Sequence, residues 1–276
     1  MSYATLMVHL DLDQRNDARL RIAGDLAERF TARVIGVAAQ AEIIPMYYAT
    51  DGYGAAFVAE DNLAEIKQRV QQAEERFRTA LAGRAKEIEW RSALEEPAVY
   101  IAEQSRAADL VIIGKTSVED KNEPAPQIDP GDLIGRTGRP LLIVPNEVPI
   151  LRAERILIAW KDTRESRRAV FDALPFLRAC QQAIVAEIDE DNDPAEANRR
   201  VQDVVAWLAR HGVNGVGVVE PLRDHAGAQL DALGHKEAAD LIVAGAYGHS
   251  KFREWILGGV TRDLLKQTAR CQLLAH

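Results

Sequence analysis

The chain has 276 residues, about two ordinary domains at roughly 150 residues each, and its 47% apolar and 28% charged content excludes wholesale disorder. A formal net charge of -8 repels a phosphate backbone, which excludes a general nucleic-acid binder and makes any phosphate site a local one. Two cysteines, Cys180 and Cys271, are too few for a disulfide framework and show no CxxC spacing for zinc or redox chemistry, so both are expected to be buried thiols.

Short β-branched or leucine-rich runs alternate with stretches of helical period, the pattern of a parallel sheet with helices on its faces. In the first half the strand candidates are 5–10, 33–39, 87–93, 110–114 and 140–144, with helices expected near 16–31, 62–82, 97–107 and 131–138. Residues 41–61, with Pro45, Gly52, Gly54 and three tyrosines (Tyr47, Tyr48, Tyr53), read as an inserted loop or lid. Residues 145–153, with Pro145 and Pro149, read as a short linker. The second half repeats the order, with strands at 155–160, 183–188, 216–220, 241–246 and 272–275 and helices near 166–178, 194–211, 226–238 and 259–269. Asp193-Pro194 reads as a helix start, with Asp193 as cap.

The repetition is visible letter by letter. Ala107-Ala108-Asp109-Leu110 recurs as Ala238-Ala239-Asp240-Leu241 and Gly114 as Gly245, both displaced by 131 positions. At the same displacement Asp132-Leu133, Thr137, Arg139 and Leu142 match Asp263-Leu264, Thr268, Arg270 and Leu273. Apolar content alone does not fix the offset of Asp, Gly, Thr and Arg, so the pattern is that of a duplication. The units are expected at 1–147 and 153–276. The terminal strand is expected to pair with the strand near 141–144, because the linker holds the halves at high effective concentration; pairing with a second chain is left open.

One segment carries chemistry. After the strand at 241–244 come Gly245 and Gly248, nine further residues, then Gly258, Gly259 and Thr261. Glycines between a strand and a helix let backbone N–H groups approach a phosphate, and the helix start adds unpaired donors and a favourable dipole. His249, Lys251 and Arg253 lie in the gap with only Glu254 opposing them. The structural alternative is that these glycines only turn the chain and begin a helix. In the first half the equivalent stretch carries Ser117 and Gln127 in place of glycines, together with Pro124, Pro126, Pro130 and several acids, so it is not expected to bind phosphate.

The G-x-x-G, nine-residue gap, G-G-x-T pattern after Ala239-Asp240-Leu241-Ile242-Val243 resembles the universal stress protein family in its tandem two-domain form, over essentially the whole chain. The resemblance implies an α/β fold of two tandem flavodoxin-like or nucleotide-α-hydrolase-like domains, each a five-stranded mostly parallel sheet with helices on both faces. It also implies a stress-response module that binds ATP or ADP, with or without Mg, in its second half. By the same resemblance Gly245, Gly248, Gly258 and Gly259 take the phosphate-loop positions, with Gly259 where the family has Ser or Thr, and Thr261 supplies a nearby hydroxyl. Lys161 falls where the family has an Asp after its first strand, with Asp162 one residue along. In the first half Asp11 retains that Asp without the loop. The adenine pocket is expected beyond the strand ends at Ala159, Trp160 and Ile188, with Trp160 equally readable as core.

Other constellations fail on their own motifs. The six histidines show neither an i,i+4 pair nor zinc spacing, no Walker or dinucleotide fingerprint is complete, and Gly248-His249-Ser250 is not a nucleophile elbow. No catalytic or metal-ligating residue is assigned, and the expectation is at most slow ATP hydrolysis. A cytoplasmic protein is expected, with no membrane or nucleic-acid partner and an intramolecular pseudo-dimer of its halves, since no signal-like start or long apolar window occurs. The alternatives are a pseudo-dimeric interaction scaffold of the same fold that binds no nucleotide, and an enzyme acting on another phosphorylated metabolite.

Overall fold

All ten strand-like runs are strands, and they hydrogen-bond into one sheet of order β3-β2-β1-β4-β5-β10-β9-β6-β7-β8. The computed structural model describes residues 2–12, 15–41, 52–115, 128–246, 264 and 270–276. The first half contributes β1 (Thr5–His9), β2 (Arg33–Ala39), β3 (Ile88–Ala93), β4 (Leu110–Gly114) and β5 (Leu141–Val144). The second contributes β6 (Arg155–Trp160), β7 (Gln182–Asp189), β8 (Gly215–Pro221), β9 (Leu241–Gly245) and β10 (Cys271–Ala275). Within each half every pairing is parallel and the order is the same. The halves meet edge to edge through β5 and β10, which pair antiparallel with Leu142 opposite Leu273. This is the expected internal pairing of the terminal strand, and it points the carboxyl ends of the two half-sheets in opposite directions.

The described helices are α1 (Asp17–Phe30), α2 (Gly52–Leu81), α3 (Pro97–Gln104), α4 (Pro130–Thr137), α5 (Arg164–Asp172), α6 (Leu174–Leu177), α7 (Pro194–Arg210) and α8 (Ala226–Lys236). They start where the sequence supplies caps. Glu96, Asp129, Thr163 and Asp193 each accept a first-turn backbone N–H, and Pro97, Pro130 and Pro194 open their helices where no amide partner is needed. Central strands are buried on both faces and so read as unbroken apolar runs. One face packs Leu6, Val8, Ile156, Ile158, Val185 and Val243 under α1, α5 and α7. The other packs Met7, Leu157, Ile184, Ile242 and Leu274. On the first face Tyr3 joins the halves, its ring 5.2 Å from that of Phe30 and 5.5 Å from that of Phe176, its hydroxyl donating to the Asp172 carbonyl at 2.6 Å.

The repeated Asp has the same task twice. A carboxylate oxygen of Asp109 accepts from the N–H groups of Ala4 and Thr5, and the Asp240 carboxylate accepts from those of Glu154 and Arg155. Each pins the start of its half's first strand.

Two expectations change. The insert read as a loop over 41–61 is helical from Gly52 onward, as the opening of α2. A glycine costs a helix only about 1 kcal/mol relative to alanine, which propagation from the long stretch behind it outweighs. The rest of the insert from 42, with Tyr47 and Tyr48, lies outside the described residues. Cys271 is buried as expected, but Cys180 is half-buried beyond α6, its thiol donating to the Leu177 carbonyl. Of the helix expected at 259–269 only Leu264 is described, and it is helical and buried. Among the described residues no helix is long and apolar enough to cross a membrane.

Candidate functional site

Each half-sheet reverses its winding at its first strand: β6 lies between β7 and β9, and β1 between β2 and β4. Such a switch point opens a crevice beyond the carboxyl ends of the strands, because the flanking connections leave in opposite directions. In the second half the crevice is bounded by Ala159-Trp160-Lys161 after β6, Ile188-Asp189-Glu190 after β7, Gly245-Ala246 after β9 and the start of α5.

Ala159 and Ile188 are buried and share one face of the sheet. Ala159 sits in register between Ala186 of β7 and Ala244 of β9, so methyl groups line the three central strands at that level, flanked by Val218 of β8 and Leu274 of β10. Trp160, adjacent in sequence, points to the opposite face and belongs to the core with Ile158 and Val185. This decides between the two readings of Trp160 in favour of the core, and it follows from strand alternation, which sends neighbours to opposite faces. Among the described residues the buried indole N–H of Trp160 has no hydrogen-bond partner. Its register neighbour Glu187 is held by Arg200 of α7, and burial pushes the Glu187 carboxyl up despite that partner.

Gly245 ends β9 with its hydrogen positions closed. An ideal Cβ there would stand 2.5 Å from the backbone N of Ser166 and 2.6 Å from the carbonyl carbon of Glu165. The glycine is therefore demanded by packing against the first turn of α5, independently of any ligand. That turn is already partly satisfied: the Thr163 hydroxyl accepts from the Ser166 N–H at 3.2 Å.

Lys161 does not reach into the crevice as an isolated charge. Its ammonium lies 2.7 Å from Glu190 Oε2, bridging the ends of β6 and β7 on the exposed rim. Asp162 is likewise engaged, by Arg167. Sequence reasoning missed Glu165 and His276. Glu165 is buried in the first turn of α5; burial alone raises its carboxyl, but a backbone hydrogen bond and Arg164 outweigh this and hold it below the usual carboxylate range, with His276 adding to the effect. The His276 ring nitrogen Nδ1 lies 3.0 Å from the Ala246 carbonyl. An acid in a first helical turn was the signal for Glu165; His276 gave none.

Lys161, Arg164 and Arg167 are thus each paired with a carboxylate. Gly248, Gly258, Gly259 and Thr261 lie outside the described residues, as do His249, Lys251 and Arg253.

The fold has known counterparts. A universal stress protein from Archaeoglobus fulgidus DSM 4304 superposes over 98% of this chain and 95% of its own, with a TM-score of 0.67 at 15% identity. A functionally unknown protein from Pseudomonas aeruginosa PAO1 covers 99% of this chain and 92% of its own, with a TM-score of 0.62 at 15% identity. No family model matches the chain, and no curated protein matches its sequence. The chain therefore has the α/β fold of universal stress proteins over nearly its entire length.

Proposed function

We propose that the chain is a tandem universal stress protein, with units at 1–147 and 153–276, whose second unit binds ATP or ADP and acts as a nucleotide-responsive stress module of the cytoplasm. The observation that carries this reading is the switch point between β6 and β9, where Ala159, Ala186 and Ala244 stand side by side on one sheet face and the glycine pattern follows β9 in the sequence. In this reading the adenine lies against Ala159 and Ile188. The backbone amides around Gly248, Gly258 and Gly259 face the phosphates, with Thr261 adding a hydroxyl. Lys161 contributes from the rim when it leaves Glu190, with or without Mg. No general base is assigned, and the two units act as a fixed pseudo-dimer.

A second reading, a scaffold of the same fold without nucleotide, is favoured by one specific observation: Gly245 is explained by its contact with Ser166 alone. Native mass spectrometry of the purified chain separates the two. The nucleotide reading expects an adenine nucleotide that co-purifies or is taken up from added ATP. A chain that stays unliganded in millimolar ATP is the scaffold.

A further inference from the structure

The first half closes its own switch-point crevice with a buried cation. Arg19, in the first turn of α1, is 2% exposed, and its guanidinium donates to the carbonyls of His9 at 2.9 Å and of Arg15 at 3.2 Å. Among the described residues its buried Nε has no hydrogen-bond partner and the guanidinium makes no ion pair with a carboxylate. Burial disfavours the charged guanidinium, and so does its place at the positive end of a helix dipole; Asp11, near enough to favour the charge but not in ion-pair contact, offsets this only in part, so something specific must keep Arg19 there.

The internal repeat shows what that is. Gly114 ends β4 as Gly245 ends β9, and Asn16 precedes α1 as Thr163 precedes α5, which makes Arg19 the counterpart of Ser166. In the second half an ideal Cβ on the glycine would meet the backbone of Ser166. In the first half its three nearest atoms all belong to the Arg19 guanidinium, with Cζ at 2.6 Å and Nη2 at 2.7 Å. The connection between strand and helix is also longer in the first half, from His9 to Asp17 compared with Trp160 to Arg164. The helix start whose main chain packs against the glycine in the second half is replaced in the first by a side chain reaching to the same spot.

We infer that Arg19 is an internal guanidinium ligand: it seals the crevice between β1 and β4 and requires Gly114 for its seat. The inference is independent of the nucleotide reading, since it concerns the first half and is read from stability. Removing Arg19 leaves a space edged by the His9 and Arg15 carbonyls, whose size and acceptors suit free guanidinium.

The test is thermal unfolding of the full chain as wild type, Gly114→Ala, Arg19→Met and the double variant, with Arg19→Ala added for ligand rescue. The expected result is that Gly114→Ala lowers the midpoint by about 2 °C in the wild type and by nearly nothing once Arg19 is gone. Guanidinium, at a concentration too low to denature, raises the midpoint of Arg19→Ala, whereas ammonium does not, and neither salt raises the wild type. Arg19→Met retains the hydrocarbon stem, so the comparison survives if the alanine variant fails to fold. An equal effect of Gly114→Ala in both backgrounds, or a folded Arg19→Ala indifferent to guanidinium, overturns the inference.

Discussion

Gly245 and Ser166 touch through their main chains: no Cβ fits at Gly245, because the Ser166 amide nitrogen stands 2.5 Å from where it would be. The neighbour is backbone in a capped helix turn and cannot rotate away. Gly245→Ala is therefore expected to cost about 1–3 kcal/mol by overpacking, and more than Gly114→Ala, whose neighbour is the end of an arginine side chain. Urea denaturation of the two variants measures this; equal costs would contradict it. Substitutions meant to probe a ligand belong at Gly248 or Gly258, because loss of binding by a Gly245 variant would also follow from a displaced α5.

The two repeated aspartates are expected to be equivalent in stability. Each carboxylate satisfies two backbone N–H groups at the start of a central strand, so Asp109→Ala and Asp240→Ala should each cost about 1–3 kcal/mol. Asn retains an acceptor oxygen and should recover part of this. A change below a few tenths of a kcal/mol at either site would show that its hydrogen bonds are replaced by water.

His9 sets an acid limit. Burial, with Arg19 beside it, lowers its pKa from 6.5 to about 3, so the unfolded chain binds a proton in that interval that the folded chain refuses. Stability is then complete above about pH 6.5 and falls with decreasing pH towards 3, by at most about 1.4 kcal/mol per pH unit. Chemical denaturation at pH 7 and pH 5 should show this loss in the wild type and a smaller one in His9→Gln. Parallel curves would mean that His9 is not the group responsible.

The ion pair of Lys161 with Glu190 is exposed, so breaking it should change stability by no more than about 1 kcal/mol. Under the nucleotide reading, Glu190→Gln removes a negative charge from the rim and frees the lysine, so ATP should bind several-fold more tightly, less so at high salt. Lys161→Ala should cancel that gain. Calorimetric titration at two ionic strengths checks it; an unchanged affinity in Glu190→Gln would place Lys161 outside the site.

The strands and their faces were legible because the period of two and the unbroken apolar runs are local signals, as in β6, where Ala159 and Trp160 part to opposite faces. The repeat was legible because Asp109 and Asp240 recur with their neighbours at one displacement, 131 positions, and the structure gives both the same task. What eluded the sequence was contact between residues far apart. That Gly114 seats Arg19 while Gly245 seats the α5 backbone leaves no periodic trace, and the same glycine has two different neighbours. The opening of α2 was misread because Gly52 and Gly54 imitate a loop, while the helix behind them decides. Glycine at the end of β9 read as a phosphate signal, yet tertiary packing already accounts for it; spacing alone did not distinguish the two.

The central claim is that the second half binds an adenine nucleotide at its strand-end crevice. Isothermal titration of the full chain with ATP and ADP, beside a Gly248→Val, Gly258→Val variant of matched thermal stability, tests it most directly. The account predicts one site per chain in the wild type and loss of binding in the variant. Equal binding by both proteins, or none by the wild type in millimolar nucleotide, would contradict it.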